Sequence, residues 1–178
     1  MSEKVSVATV WLDGCSGCHM SIFDMDERLI ELAEHVEFVY TPLVDRKDYP
    51  EHVDIALVEG AVSSEDDLNK IRKIREHTTT LIALGDCAVA GNIPTMRNPF
   101  GTDAILETGY IETATAGQQV PDSIIPRLLP VVRPIHEIVP VDIFMQGCPP
   151  SADVIYFVIT ELLAGRKPKL NDKTRPGA

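Results

Sequence analysis

Each cysteine of this 178-residue chain falls just after a stretch that reads as a β-strand. Residues 5–12 run into Asp13-Gly14-Cys15-Ser16-Gly17-Cys18, residues 79–84 into Gly85-Asp86-Cys87, and residues 141–144 lead to Gln146-Gly147-Cys148. Two more strands are predicted, at 37–40, ended by Pro42, and at 53–58, which runs into Glu59-Gly60-Ala61. Helical stripes lie between them. Ile22, Met25, Leu29, Leu32 and Val36 recur every three or four residues, and Leu68, Ile71 and Ile74 follow Ser64 and Asp67, a capping-box start. Strands that are apolar throughout and alternate with helices make a parallel sheet covered on both faces. The expected fold is therefore α/β, a flavodoxin-like doubly wound parallel sheet.

Residues 91–140 interrupt this order. They carry Pro94, Pro99, Pro121, Pro126, Pro130 and Pro134, and read as a long irregular insertion before the last strand, of the kind used for docking. Ser151 is expected to cap a final helix bearing Val154, Ile155, Val158 and Leu162, closed by Gly165. The domain expectation is a single unit over 1–166 and a polar, frayed tail over 167–178.

A net charge of −11 repels phosphate backbones and argues against nucleic-acid binding. No signal-peptide pattern opens the sequence, and no apolar run reaches the roughly 18–20 residues that span a bilayer. The expected location is the cytoplasm, without membrane insertion. Thiols stay reduced there, so four cysteines read as metal ligands before they read as two disulfides.

In an open parallel sheet, ligands bind beyond the carboxyl ends of the strands. Cys15, Cys18, Cys87 and Cys148 are thus carried toward one edge although they span most of the chain. Thiolate-only ligation suits zinc or an iron–sulfur cluster. Structural zinc sites usually pair close ligands twice, whereas here one close pair is joined by two isolated cysteines, each roughly 60–70 residues further on. That spread favours a cluster. The alternatives are a zinc-stabilised interaction module, buried structural cysteines, and a thiol–disulfide enzyme using Cys15 and Cys18.

The series Cys15-Ser16-Gly17-Cys18, Glu59-Gly60-Ala61, Gly85-Asp86-Cys87-Ala88 and Gly147-Cys148-Pro149-Pro150 resembles, in order, the proximal-cluster motifs of [NiFe]-hydrogenase small subunits. The resemblance covers roughly residues 5 to 165. It implies one [4Fe–4S] cluster on the four cysteines, facing a large subunit that holds the nickel–iron centre. The pattern is similar above all to the cytoplasmic, bidirectional NAD-reducing kind, whose electrons pass to a diaphorase module with flavin and iron–sulfur clusters. The related complex I subunit has adjacent cysteines at the first motif, unlike this chain. Within the resemblance, Glu59 is a candidate proton relay or interface residue; its bland reading is a strand-end carboxylate capping the next turn. His19 is either a donor to the cluster or a surface residue of a first helical turn. Asp86 either adds charge beside Cys87 or caps its helix, and Trp11 is expected in the core. FMN is a further possible cofactor, because flavodoxin-like sheets bind it at the same crevice, although no phosphate-binding motif supports it.

Overall fold

The computed structural model describes residues 4–44 and 46–177. Five parallel strands form the central sheet: β1 (Val5–Trp11), β2 (Val36–Tyr40), β3 (Val53–Glu59), β5 (Thr78–Leu84) and β7 (Ile143–Met145), in the order β2-β1-β3-β5-β7. Two short strands outside it, β4 (Val62–Ser64) and β6 (Leu128–Arg133), pair antiparallel. With these set aside, the order is that of a flavodoxin-like sheet, whose switch point lies between β1 and β3.

The strands are apolar throughout because both faces are buried. Ala8 and Val10 of β1, Ala56 and Val58 of β3, and Leu81 and Ala83 of β5 point to one layer, where Ile71 and Ile74 of α3 (Glu65–Glu76) cover them. Val7, Ile55, Leu57, Ile82 and Leu84 point the other way. There they meet Ile22 and Met25, Leu32 of α2 (Arg28–Ala33), and Ile155, Val158 and Ile159 of α7 (Ala152–Leu163). The expected α/β doubly wound fold is therefore found.

The predicted caps are in place. The Asp67 amide donates to Ser64 Oγ at 3.1 Å, and the Ser64 amide donates back to Asp67 Oδ2 at 3.0 Å, a reciprocal capping box. Ser151 Oγ accepts from the Val154 amide at the start of α7.

Three local expectations fail. The stripe from Ile22 to Val36 does not form one helix: α1 (Gly17–Phe23) and α2 are separate, and Val36 opens β2. The break falls where Asp26 adopts φ 50, a left-handed conformation that Asp tolerates better than most residues. Met25 stays buried through the turn, so the apolar face continues while the helix does not. Trp11 is not in the core; it is 46% exposed at the end of β1, and its Nε1 donates to Gly14 O at 3.0 Å. The first part of the tail is packed and not frayed: Pro168 is buried, Leu170 packs against the α7 layer, and Lys173 Nζ sits 4.5 Å from the centre of the Phe157 ring.

The stretch from 91 to 140 is less irregular than its prolines suggest. It contains α5 (Asn92–Thr95), α6 (Thr102–Glu107) and β6. Asn98 brackets Val132, donating to its carbonyl at 3.0 Å and accepting from its amide at 2.8 Å. Arg97 donates to the carbonyls of Ser63 and Leu129 and so ties the insertion to β4.

Candidate metal centre

The backbone gathers the cysteine turns at the carboxyl edge by close approach. After β1, Leu12 donates to Glu59 O, and Asp13 and Ala61 exchange two backbone hydrogen bonds of 3.1 and 2.7 Å. The turns after β1 and β3 are thereby sewn together across the switch point. Gly60 has φ 90, and a Cβ there would lie 2.8 Å from Asp13 O, so only glycine fits. Ser16, with φ 61, reverses the chain into α1 and sets Cys15 just outside the helix and Cys18 in its first turn. Cys87 lies in the first turn of α4 (Gly85–Ala90), and Cys148 follows β7 by three residues.

Gly85 joins the first motif to the third. Its φ is 82, and a Cβ there would overlap Cys18 Sγ. The third and fourth motifs are joined through Asp86, whose amide donates to Gly147 O at 2.9 Å while its Oδ1 accepts from the Gly147 amide at 2.8 Å. Asp86 Oδ2 accepts from the Gly177 amide of the tail. Asp86 therefore does not cap its own helix, as one reading expected; its carboxylate clamps the Cys148 turn.

The thiols act on one another. Burial pushes the Cys18 thiol above the usual range, and Glu59, Cys87, Cys15 and Cys148 push it further. Burial likewise pushes Cys87 up to about 11; the Ile93 amide pulls the other way, and Cys148, Cys15 and Glu59 add to the rise. Several thiolates cannot coexist in such a place without a cation, so the donor set fits a group that carries positive charge and displaces protons as it binds.

The metal-free chain should therefore be sensitive to alkali. An unfolded thiol loses its proton near about pH 8.5, whereas folded Cys87 holds it to about 11. The folded state binds more protons between these values, so Cys87 favours the fold fully below the lower value and progressively less as pH rises toward the upper. We expect the thermal midpoint of metal-free protein to fall across this window, and to fall less in Cys87→Ala. Equal slopes in the two proteins would refute the assignment.

Glu59 and His19 form a buried pair. Glu59 is 2% exposed, and its Oε2 accepts from the His19 amide at 2.7 Å and meets His19 Nδ1 at 2.6 Å. Glu59 thus supports the first turn of α1, forty residues away in sequence, and not the turn that follows it. His19 is buried, contrary to the surface reading, and its Nε2 has no partner among the described residues. Sequence reasoning passed over Asn92, whose Nδ2 lies 3.5 Å from Cys148 Sγ; the Gly91-Asn92 pair was the available turn signal.

A parallel α/β domain with four thiols at its carboxyl edge, drawn from three strand-end turns, has the architecture of a carrier for a cysteine-bound centre. Residues 15–162 match the family described as NADH ubiquinone oxidoreductase, 20 Kd subunit, and the chain belongs to that family. It is 44% identical over 170 residues to the NAD-reducing hydrogenase HoxS subunit delta of Cupriavidus necator, spanning 92% of this chain and 80% of that one. The iron-sulfur subunit of the F420-non-reducing hydrogenase of Archaeoglobus profundus is 28% identical over 184 residues, 92% of this chain and 57% of its own length. A chain in the crystal structure of NAD+-reducing [NiFe]-hydrogenase in the H2-reduced state superposes with a TM-score of 0.93 at 41% identity, covering 99% of this chain and 100% of that one. The likeness to hydrogenase small subunits, read from four short motifs, extends over nearly the whole fold.

Proposed function

We propose that this chain is the electron-transfer small subunit of a cytoplasmic NAD-reducing [NiFe] hydrogenase, with Cys15, Cys18, Cys87 and Cys148 holding one [4Fe–4S] cluster. The observation that carries the reading is the convergence of three cysteine-bearing turns at one sheet edge, where Gly85, two residues before Cys87, packs against Cys18 Sγ and Gly147, beside Cys148, exchanges two hydrogen bonds with Asp86. When bound, such a cluster supplies a one-electron carrier. The chain's own part is to hold the ligands, shield one side of them and present the edge to a partner. A single zinc ion is less well served. Structural zinc sites usually pair close ligands twice, whereas here one close pair is joined by two isolated cysteines. The family also takes in the complex I-like alternative; the two residues between Cys15 and Cys18 and the 44%-identical hydrogenase relative favour the hydrogenase reading. FMN is less well supported, because Gly14-Cys15-Ser16-Gly17 carries the cysteine turn in place of a phosphate loop, and the turns after β1 and β3 approach closely at Gly14 and Gly60.

A large subunit holding the nickel–iron centre is the partner at this edge, and a diaphorase module receives the electrons. Ile93, Met96 and Phe100, in and just after the α5 helix that follows Cys87, are 63–71% exposed, and Ile124 and Ile125 are exposed further along the same insertion, apolar side chains that suit burial against another subunit. No helix among the described residues is long and apolar enough to cross a membrane. Anaerobically purified complex should contain about four irons and four sulfides per copy of this chain, with a brown absorption that bleaches on reduction. Stoichiometric zinc without iron would refute the proposal.

A further inference from the structure

The turn that follows the Cys87 helix places a side-chain donor on the Cys148 thiol. Between α4 and α5, Gly91 (φ 83) and Asn92 (φ 32) both lie in the left-handed region and reverse the chain. The reversal sets the Asn92 side-chain amide 3.5 Å from Cys148 Sγ. The turn is braced from beneath: the Gly91 amide donates to Cys87 O at 2.9 Å, and Thr95 Oγ1 donates to Asn92 O at 2.7 Å. Asparagine suits the place twice. It is among the non-glycine residues most at home in left-handed backbone, and its side chain ends in a donor. A metal-bound thiolate has no proton to give, so the amide turns its NH2 and not its oxygen toward Cys148.

We infer that Asn92 is a positioning residue that raises the reduction potential of the centre that Cys148 helps to hold. The inference rests on the cluster reading above. Reduction adds one electron and no atom, and part of the added negative charge resides on the thiolate sulfurs. Donors aimed at those sulfurs bind the reduced state more strongly than the oxidised one. The turn thereby links the two isolated cysteine motifs, which lie roughly 60 residues apart in sequence: its Gly91 amide bonds the Cys87 carbonyl and its Asn92 side chain reaches Cys148.

The test uses the anaerobically purified complex, titrated with dithionite against redox mediators and followed by electron paramagnetic resonance. Asn92→Gly keeps the left-handed turn and removes the donor. Asn92→Asp keeps the shape and replaces the donor with a charged acceptor. Both variants should retain their iron and sulfide. At the wild-type midpoint, Asn92→Gly should shift the reduced-to-oxidised ratio downward by roughly tenfold, about 59 mV for a one-electron couple, and Asn92→Asp should shift it further. An unchanged midpoint at full iron content overturns the inference and leaves the cluster reading standing. Iron lost from both variants overturns it too, because Asn92 would then support the site without tuning it. A wild-type complex lacking iron in this chain overturns the cluster reading itself.

Discussion

Cys87→Ser and Cys148→Ser should each abolish the cluster signal and reduce H2-driven NAD+ reduction by more than roughly a hundredfold, the upper range of what losing even a supporting residue costs a metal site. The same preparations should retain NADH-to-dye activity, since that path runs through the diaphorase alone. The effect is large because both residues have single, irreplaceable positions. Cys87 is fixed in the first turn of α4, and Cys148 is clamped to it through the paired hydrogen bonds between Asp86 and Gly147. A serine hydroxyl is a far weaker ligand for iron than a thiolate. Equal loss of both activities would mean that the substitutions disrupt assembly and would remove the support for an electron relay.

Glu59→Ala is expected to destabilise the chain by about 3–5 kcal/mol, because it leaves a buried backbone amide and a buried imidazole nitrogen without their acceptor. In a chain of this length that is a fall in thermal midpoint of roughly 10 °C. Glu59→Gln keeps a carbonyl acceptor and should cost about 1–2 kcal/mol. The two variants also separate the two roles open to Glu59. If the carboxylate only braces α1, Glu59→Gln with a full cluster turns over H2 at the wild-type rate. A slowed rate at unchanged cluster content assigns it a share in proton movement, which an amide cannot perform. A midpoint unmoved in Glu59→Ala would show that the bonds to His19 contribute nothing to the fold.

Much of the architecture is legible from local pattern. The apolar strands of β1, β3 and β5, the capping box of Ser64 and Asp67, and the helix behind Ser151 each obey short-range rules, and each is found where those rules place it. A single helix over Ile22–Val36 is the wrong reading because periodicity records which side chains face the core, and that face survives a break in the backbone; only Asp26 marks the turn. The pairing of β4 with β6 escapes local pattern because it joins residues more than sixty apart, β4 has only three residues, and β6 carries Pro130.

For the site, the sequence alone named the four candidate thiols and the edge on which they gather. A cysteine after a parallel strand can only emerge at the carboxyl edge, because side-chain placement there follows from strand direction. The tertiary structure decided what surrounds the thiols. Only folding brings Gly85 against Cys18, Asp86 against Gly147, Glu59 under the first turn of α1, and Asn92 onto Cys148. These contacts join residues 40 to 61 positions apart, apart from the 67-residue reach of Gly85 to Cys18. No short-range propensity encodes such distances. They arise from the adjacency of β1, β3, β5 and β7 in the sheet, which is a property of the packed chain.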